Sequence, residues 1–289
     1  MKKMRRGTML TAAVLTLALT LGLSACGGES AAPATPEEVL AKAQEAMDGV
    51  KSMGYDMTME MSLGVEGVEQ TMNISSVTSA EAIQSPLTMK AEVTTDMGDV
   101  LGESLTMTMY VKEENGSYMT AIGTADDSGA VTWENMTMDS LDELANLDGK
   151  ASMDLYLSSG SGFTEGATEQ VGDVEATRYD GTIPGAKLEE VLETSGVLTQ
   201  MESLGLGDAT TMFSGLGDLP MSIWVAKDTY YPVKYEMDMS EMMQSILEKV
   251  LSEQAGMDVG LTVEKMNVSM VMRDFNAIET IDIPAEAFA

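Results

Sequence analysis

Polar and apolar residues alternate with period two over most of this 289-residue chain, interrupted by short stretches of helical period. Tyr55, Met57, Met59 and Met61 alternate with Asp56, Thr58, Glu60 and Ser62. That pattern predicts a strand with one apolar and one wet face. Strands follow over Val68 to Thr78, Leu87 to Thr95, Leu105 to Lys112, Tyr118 to Ile122 and Val131 to Met136. Glu113-Glu114-Asn115-Gly116 is a hairpin signal, because Asn-Gly suits the positive φ angles of a two-residue turn. The result is a meander of about six antiparallel strands. Further strands are predicted at Ser152 to Leu157, Phe163 to Val171 and Glu175 to Ile183. Met221 to Ala226 and Tyr231 to Met239 form a hairpin around Lys227-Asp228-Thr229. Leu261 to Arg273 alternates again, and Ile281 to Pro284 reads as a final edge segment.

Helical periods separate these runs. Thr35-Pro36-Glu37-Glu38 opens a helix with a cap, a proline at the first position and a capping-box glutamate. Its apolar face is Val39, Leu40, Ala43, Met47 and Val50. Leu141, Leu144 and Leu147 predict a short helix over Ser140 to Leu147. Pro184-Gly185 introduces a longer one, with Leu188, Val191, Leu192, Leu198 and Met201 near one face, and Gly196 weakens its middle. Gly205 to Gly217, where Gly-Leu-Gly-Asp recurs, is the predicted mobile segment. Ser240 caps a helix striped by Met242, Met243, Ile246, Leu247, Val250 and Leu251. Hairpin-length links fit an antiparallel sheet, and helices that bury one face each fit one side of it. The expected class is α+β, with one domain over residues 36–289.

The first 25 residues follow another logic. Lys2, Lys3, Arg5 and Arg6 precede fifteen uncharged residues, Met9 to Leu23. This is the order of a secretory signal peptide over residues 1–25. A membrane-spanning helix needs roughly 20 apolar residues, which the Gly-rich run after Cys26 does not supply. Leu23-Ser24-Ala25-Cys26 resembles a bacterial lipobox, in which the cysteine takes a diacylglycerol thioether and becomes the N-terminus. An ordinary free thiol is the alternative reading of Cys26. The lipobox reading makes the membrane a partner through a lipid anchor at Cys26, on the extracytoplasmic face. Residues 26–35, small and Pro-containing, then form a flexible linker.

Composition narrows the function. Removing the leader's four basic residues takes the net charge from −31 to −35. Nucleic acid is excluded as a partner, since basic patches supply that affinity, and so is a polybasic grip on anionic lipid. No DxDxDG-type calcium loop occurs. The chain has no histidine and one cysteine, so His-dependent triads and zinc sites are excluded. Pairs such as Asp126-Asp127 and Glu189-Glu190 read as solvated surface, no catalytic site emerges, and no cofactor is predicted. Trp224 reads as core; for Trp133 an exposed sugar-stacking platform is the alternative to packing.

Methionine stands out, with 28 residues against four phenylalanines. Spacing of two recurs at Met57-x-Met59-x-Met61, Met107-x-Met109, Met136-x-Met138, Met237-x-Met239 and Met270-x-Met272. Three readings remain open: a filled core face, an adaptable apolar cavity wall, or a thioether site for Cu(I) or oxidants.

The last third carries a family resemblance. Ile223 to Tyr235, IWVAKDTYYPVKY, together with Glu236 to Met239, Phe275-Asn276 and Ile281-Asp282-Ile283-Pro284, resembles a Met-rich lipoprotein family from Gram-positive bacteria. That family is similar to the LppX/LprG and LolA/LolB-like lipid-carrier group. The resemblance implies a strongly curved antiparallel half-barrel with helices on its concave face and an apolar ligand between sheet and helices. Candidate lining residues are then Tyr55, Met57, Met59, Met61, Met107, Met109, Leu188, Leu192, Met237, Met239, Met243, Leu247 and Met270. The expected function is non-enzymatic lipid binding; a surface-interaction or envelope-structure role is the alternative.

Overall fold

The computed structural model describes residues 34–65, 67, 71–98, 104–125, 129–138, 149–188, 215–253 and 260–289. Eleven strands make one antiparallel sheet: β1 Ser52–Val65, β2 Met72–Gln84, β3 Leu87–Asp96, β4 Ser104–Glu114, β5 Ser117–Ala125 and β6 Val131–Met138 on one side. The other side holds β7 Ser161–Val171, β8 Val174–Ile183, β9 Leu219–Ala226, β10 Pro232–Asp238 and β11 Leu261–Arg273. The order is β6-β5-β4-β3-β2-β1-β11-β10-β9-β8-β7. The sheet is a half-barrel: its edges, β6 and β7, do not pair to close it. The first and last strands meet at its centre, where β1 pairs with β11 from Gly54 to Val65.

Local chemistry explains the hairpins. Asn115 and Gly116 take φ of 56° and 82° between β4 and β5, as the Asn-Gly pair requires. Lys227 to Thr229 turn β9 into β10, and the Ala226 amide donates to the Tyr231 carbonyl across the base. Each strand sends odd and even positions to opposite faces. Inner and outer faces are therefore fixed together across the sheet by the pairing registers.

Among the described residues, three helices with buried faces cover the inner side of the sheet. Helix α1 is Pro36–Asp48, α2 is Gly149–Ser159 and α3 is Ser240–Glu253. Leu40, Ala43 and Met47 of α1, Met153 and Leu157 of α2, and Met242 and Ile246 of α3 join one buried cluster with Tyr55, Tyr235 and Met270. The start of α3 is tied to β11 by side chains. Ser240 Oγ accepts from the Met266 amide at 2.9 Å and Gln244 Oε1 from the Val263 amide at 2.7 Å. Val263 lies where the register shifts opposite Ser62 and Leu63, so Gln244 satisfies a donor at that irregularity.

Two expectations are overturned. Ser152 to Leu157 is not a strand but the middle of α2. Its alternation of Met153, Leu155 and Leu157 is also an i, i+4 pair, and Met153 and Leu157 are the buried members. Ile281 to Pro284 is not a sheet edge. The tail leads into a short 3₁₀ helix, Ala285–Phe288, and packs Ile283, Ala287 and Phe288 on Tyr110, Ala121 and Trp133 on the outer face. Trp133 is thus half-buried against Tyr110, with ring centroids 5.7 Å apart. The expected helix over 140–147, the longer helix beyond Leu188, and most of the Gly-rich segment lie outside the described residues. So does Cys26.

Candidate functional site

The inner face is built from ladders of side chains that run across the strands. One runs Tyr179, Ile223, Tyr235, Met270, Met57, Thr78, Val93, Met107, following the pairing from β8 to β4. A second runs Met221, Met237, Val268, Met59, Ser76, Thr95, Leu105 from β9 to β4. Burial changes along both. Ile223, Tyr235, Met270 and Met221 are closed into the core, Met57, Met59, Val93 and Met107 are half-buried, and Leu105 is 40% exposed. The short side chains Ser76, Thr78, Ala80 and Ala91 stand on β2 and β3, between the Met-bearing strands β1 and β4.

Each candidate lining residue can now be placed. Tyr55, Leu188, Met237 and Met270 are buried in the central cluster. Met57, Met109, Met239 and Met243 are half-buried and pack against it. Met59, Met61, Met107 and Leu247 are half-buried too. Leu192 lies outside the described residues. The spacing of two therefore does place the β1 and β4 methionines on one face, and the sheet register aligns them with Met237 and Met270.

Tyr156 and Tyr235 were not among the candidates. Tyr156 on α2 meets Tyr235 on β10 edge-on, with centroids 4.9 Å apart. Burial pushes both phenols up; for Tyr235, which goes well above its usual value, Tyr156 adds to the effect. Both stay un-ionised at neutral pH. The strand reading of residues 152–157 hid Tyr156; helical spacing from Met153 to Leu157 was the available signal. Thr120 on β5 is also buried inward beside Val111, and its hydroxyl has no partner.

The outer face contrasts with this. Thr58, Ser269, Glu236, Ser222 and Asp180 form a cross-strand row in an open groove of about 460 Å³. Its carboxylates are already engaged: Asp180 accepts from Arg178 at 2.6 Å and Ser222 at 2.5 Å, and Glu60 from Lys265 at 2.6 Å. Trp224 is buried on this face beneath Lys234 and Arg178, and its indole donates to Glu169. At the centre, burial pulls Asp56 up, but hydrogen bonds from Arg273 and Ser79 and the Arg273 charge outweigh it and leave the carboxyl below its usual value. Among the described residues, no group of three or more His, Cys, Asp or Glu side chains could hold a metal. No helix among them is long and apolar enough to cross a membrane.

The architecture is an open antiparallel half-barrel with helices laid on its inner face. It is the fold of LprF from Mycobacterium bovis, at 13% identity and a TM-score of 0.50, covering 86% of this chain and 96% of that one. Lipoprotein LppX from Mycobacterium tuberculosis is similar at 14% identity and a TM-score of 0.40, covering 85% of this chain and 98% of that one. A DUF1329 family protein from Desulfovibrio piger is similar at 8% identity and a TM-score of 0.22, covering 85% and 93%. In sequence, residues 35–155 match a family of unknown function, DUF6612. None of the curated proteins matches the chain.

Proposed function

We propose that this protein is a lipid-anchored, extracytoplasmic binding module that holds a lipid or other apolar molecule between the sheet and its helices, and that it is not an enzyme. One observation carries the reading: the fall in burial along the two inner-face ladders. On β8 to β11, Tyr179, Ile223, Tyr235, Met270, Met221 and Met237 of these ladders are buried in the cluster that α1, α2 and α3 join. On β1 to β4, by contrast, Met57, Met59, Val93 and Met107 are half-buried, Leu105 is exposed, and Thr78 is the one buried member. A core whose only task is stability has no reason to open toward one side. Flexible thioether side chains suit a wall that must adapt to acyl chains of differing shape.

Cys26 supplies the anchor in this reading, residues 26–35 the tether, and residues 36–289 the single binding domain. The anchor is tested by labelling cells with tagged palmitate: the chain takes up label, and Cys26→Ser abolishes it. Cargo is tested by native mass spectrometry and solvent extraction of the chain purified from Gly27 onward, with uptake of the apolar dye N-phenyl-1-naphthylamine as a second readout. An empty protein that takes up no dye would sink the proposal. The complete burial of Tyr55, Leu188 and Met270 favours a second reading, a closed surface-interaction protein, and that same empty result would support it.

A further inference from the structure

We propose that the inner-face site takes apolar ligands without negative charge and discriminates against fatty acids and anionic phospholipids of the same chain length. The inference rests on the binding reading above and adds the charge class of the ligand.

It follows from where the cations are. Four of the 16 Lys and Arg lie in the leader, and the other twelve all fall among the described residues. Six of these, Lys90, Lys112, Arg178, Lys234, Lys265 and Arg273, project from strands on the outer face, each ion-paired with a carboxylate there. The other six lie on helices and turns. Lys150 pairs with Asp154, Lys227 with Glu175, and Lys42 donates to the Tyr230 hydroxyl. None of the twelve is buried, and none holds an inner-face position on the sheet. Residues 66, 68–70, 99–103, 126–128, 139–148, 189–214 and 254–259 contain no Lys or Arg, so no stretch beyond the leader adds a cation.

The part-buried Lys150 of α2 is neutralised by Asp154 at 2.7 Å, and the polar groups on the inner face of the sheet are neutral or negative. The phenols of Tyr156 and Tyr235 are held un-ionised, and the buried Thr120 hydroxyl has no partner. Inner-face positions near the sheet's edges hold Glu134 and Glu165. An ionised carboxylate or phosphate leaving water needs a cation or a dense set of donors; the inner face of the sheet offers no cation, and Lys150 on α2 is already taken by Asp154. An alcohol, ester or ether needs a single hydrogen bond, which hydroxyl and phenol groups can give.

The test is competition against N-phenyl-1-naphthylamine on the chain from Gly27 onward, with decanoic acid, decanol and methyl decanoate as chain-matched competitors at neutral pH. Decanol and the ester should displace the dye at concentrations ~10-fold or more below those the acid needs, because an unpaired buried ion is costly. The preference should persist in ~1 M salt, where screening shortens to ~3 Å and the acidic surface no longer repels the acid at a distance. Equal potency of acid and alcohol overturns the charge rule while leaving ligand binding intact. A preference that vanishes in high salt also overturns it, by assigning the discrimination to the surface field. If neither dye nor competitor binds, the binding reading itself falls and the charge rule with it.

Discussion

Met270 and Met59 share an inner face yet should behave differently when shortened to alanine. Met270 is 1% exposed, paired with Met57 on one side and Tyr235 on the other. Removing its thioether leaves a cavity that the α-helices above cannot collapse into, and Met→Ala at such a site costs about 3 kcal/mol. Met59 is half-buried on the neighbouring ladder. About half the transfer free energy of a methionine is at stake there, roughly 1 kcal/mol. For a domain of this size these values lower Tm by roughly 6–12 °C and roughly 2–4 °C respectively. Ligand affinity should reverse the order. Met59→Ala removes contact from the open part of the face and should weaken dye binding by roughly fivefold, whereas Met270→Ala should leave it unchanged in the fraction still folded. Urea titration with tryptophan fluorescence gives the stabilities, and dye titration of the same samples gives the affinities. Equal destabilisation by the two variants, or loss of dye binding only in Met270→Ala, would refute the division of the ladder into a closed and an open part.

Three further outcomes follow from named contacts. Tyr156 and Tyr235 have raised folded-state values against an unfolded value of 10.0, so their stabilisation is complete below pH 10 and falls as pH rises above it. The slope is about 1.4 kcal/mol per pH unit for each phenol, and alkaline unfolding monitored by circular dichroism should flatten in the Tyr156→Phe, Tyr235→Phe double variant. Asp56 is lowered, so the stability it contributes is present above its unfolded value of 3.8 and is lost as pH falls through the folded one. Its pair with Arg273 is 34% and 49% exposed, and a double-mutant cycle should give about 0.5–1 kcal/mol at neutral pH and nothing in strong acid. Deleting residues 284–289 should uncover Tyr110 and Trp133, and in a Trp224→Phe background Trp133 emission should shift to the red.

The sequence by itself determined much of the local structure. Period-two alternation from Tyr55 to Met61 and from Leu261 to Arg273 placed β1 and β11, and Asn115-Gly116 placed a hairpin, because backbone geometry there follows from neighbouring residues alone. It also determined the absence of histidine and the scarcity of cations, which bound the chemistry whatever the fold. It misread residues 152–157, where Met153, Leu155 and Leu157 satisfy period two and Met153 and Leu157 also satisfy i, i+4. Only the contacts of α2 with α1 and Tyr235 resolve that ambiguity. The tertiary structure alone decided that β1 pairs with β11, two hundred residues away, since strand partnership depends on packing and not on local pattern. It decided too which methionines are filled core and which face the open side. Met59 and Met270 are alike in sequence pattern, and only the packed fold closes one to 1% exposure and leaves the other half-buried.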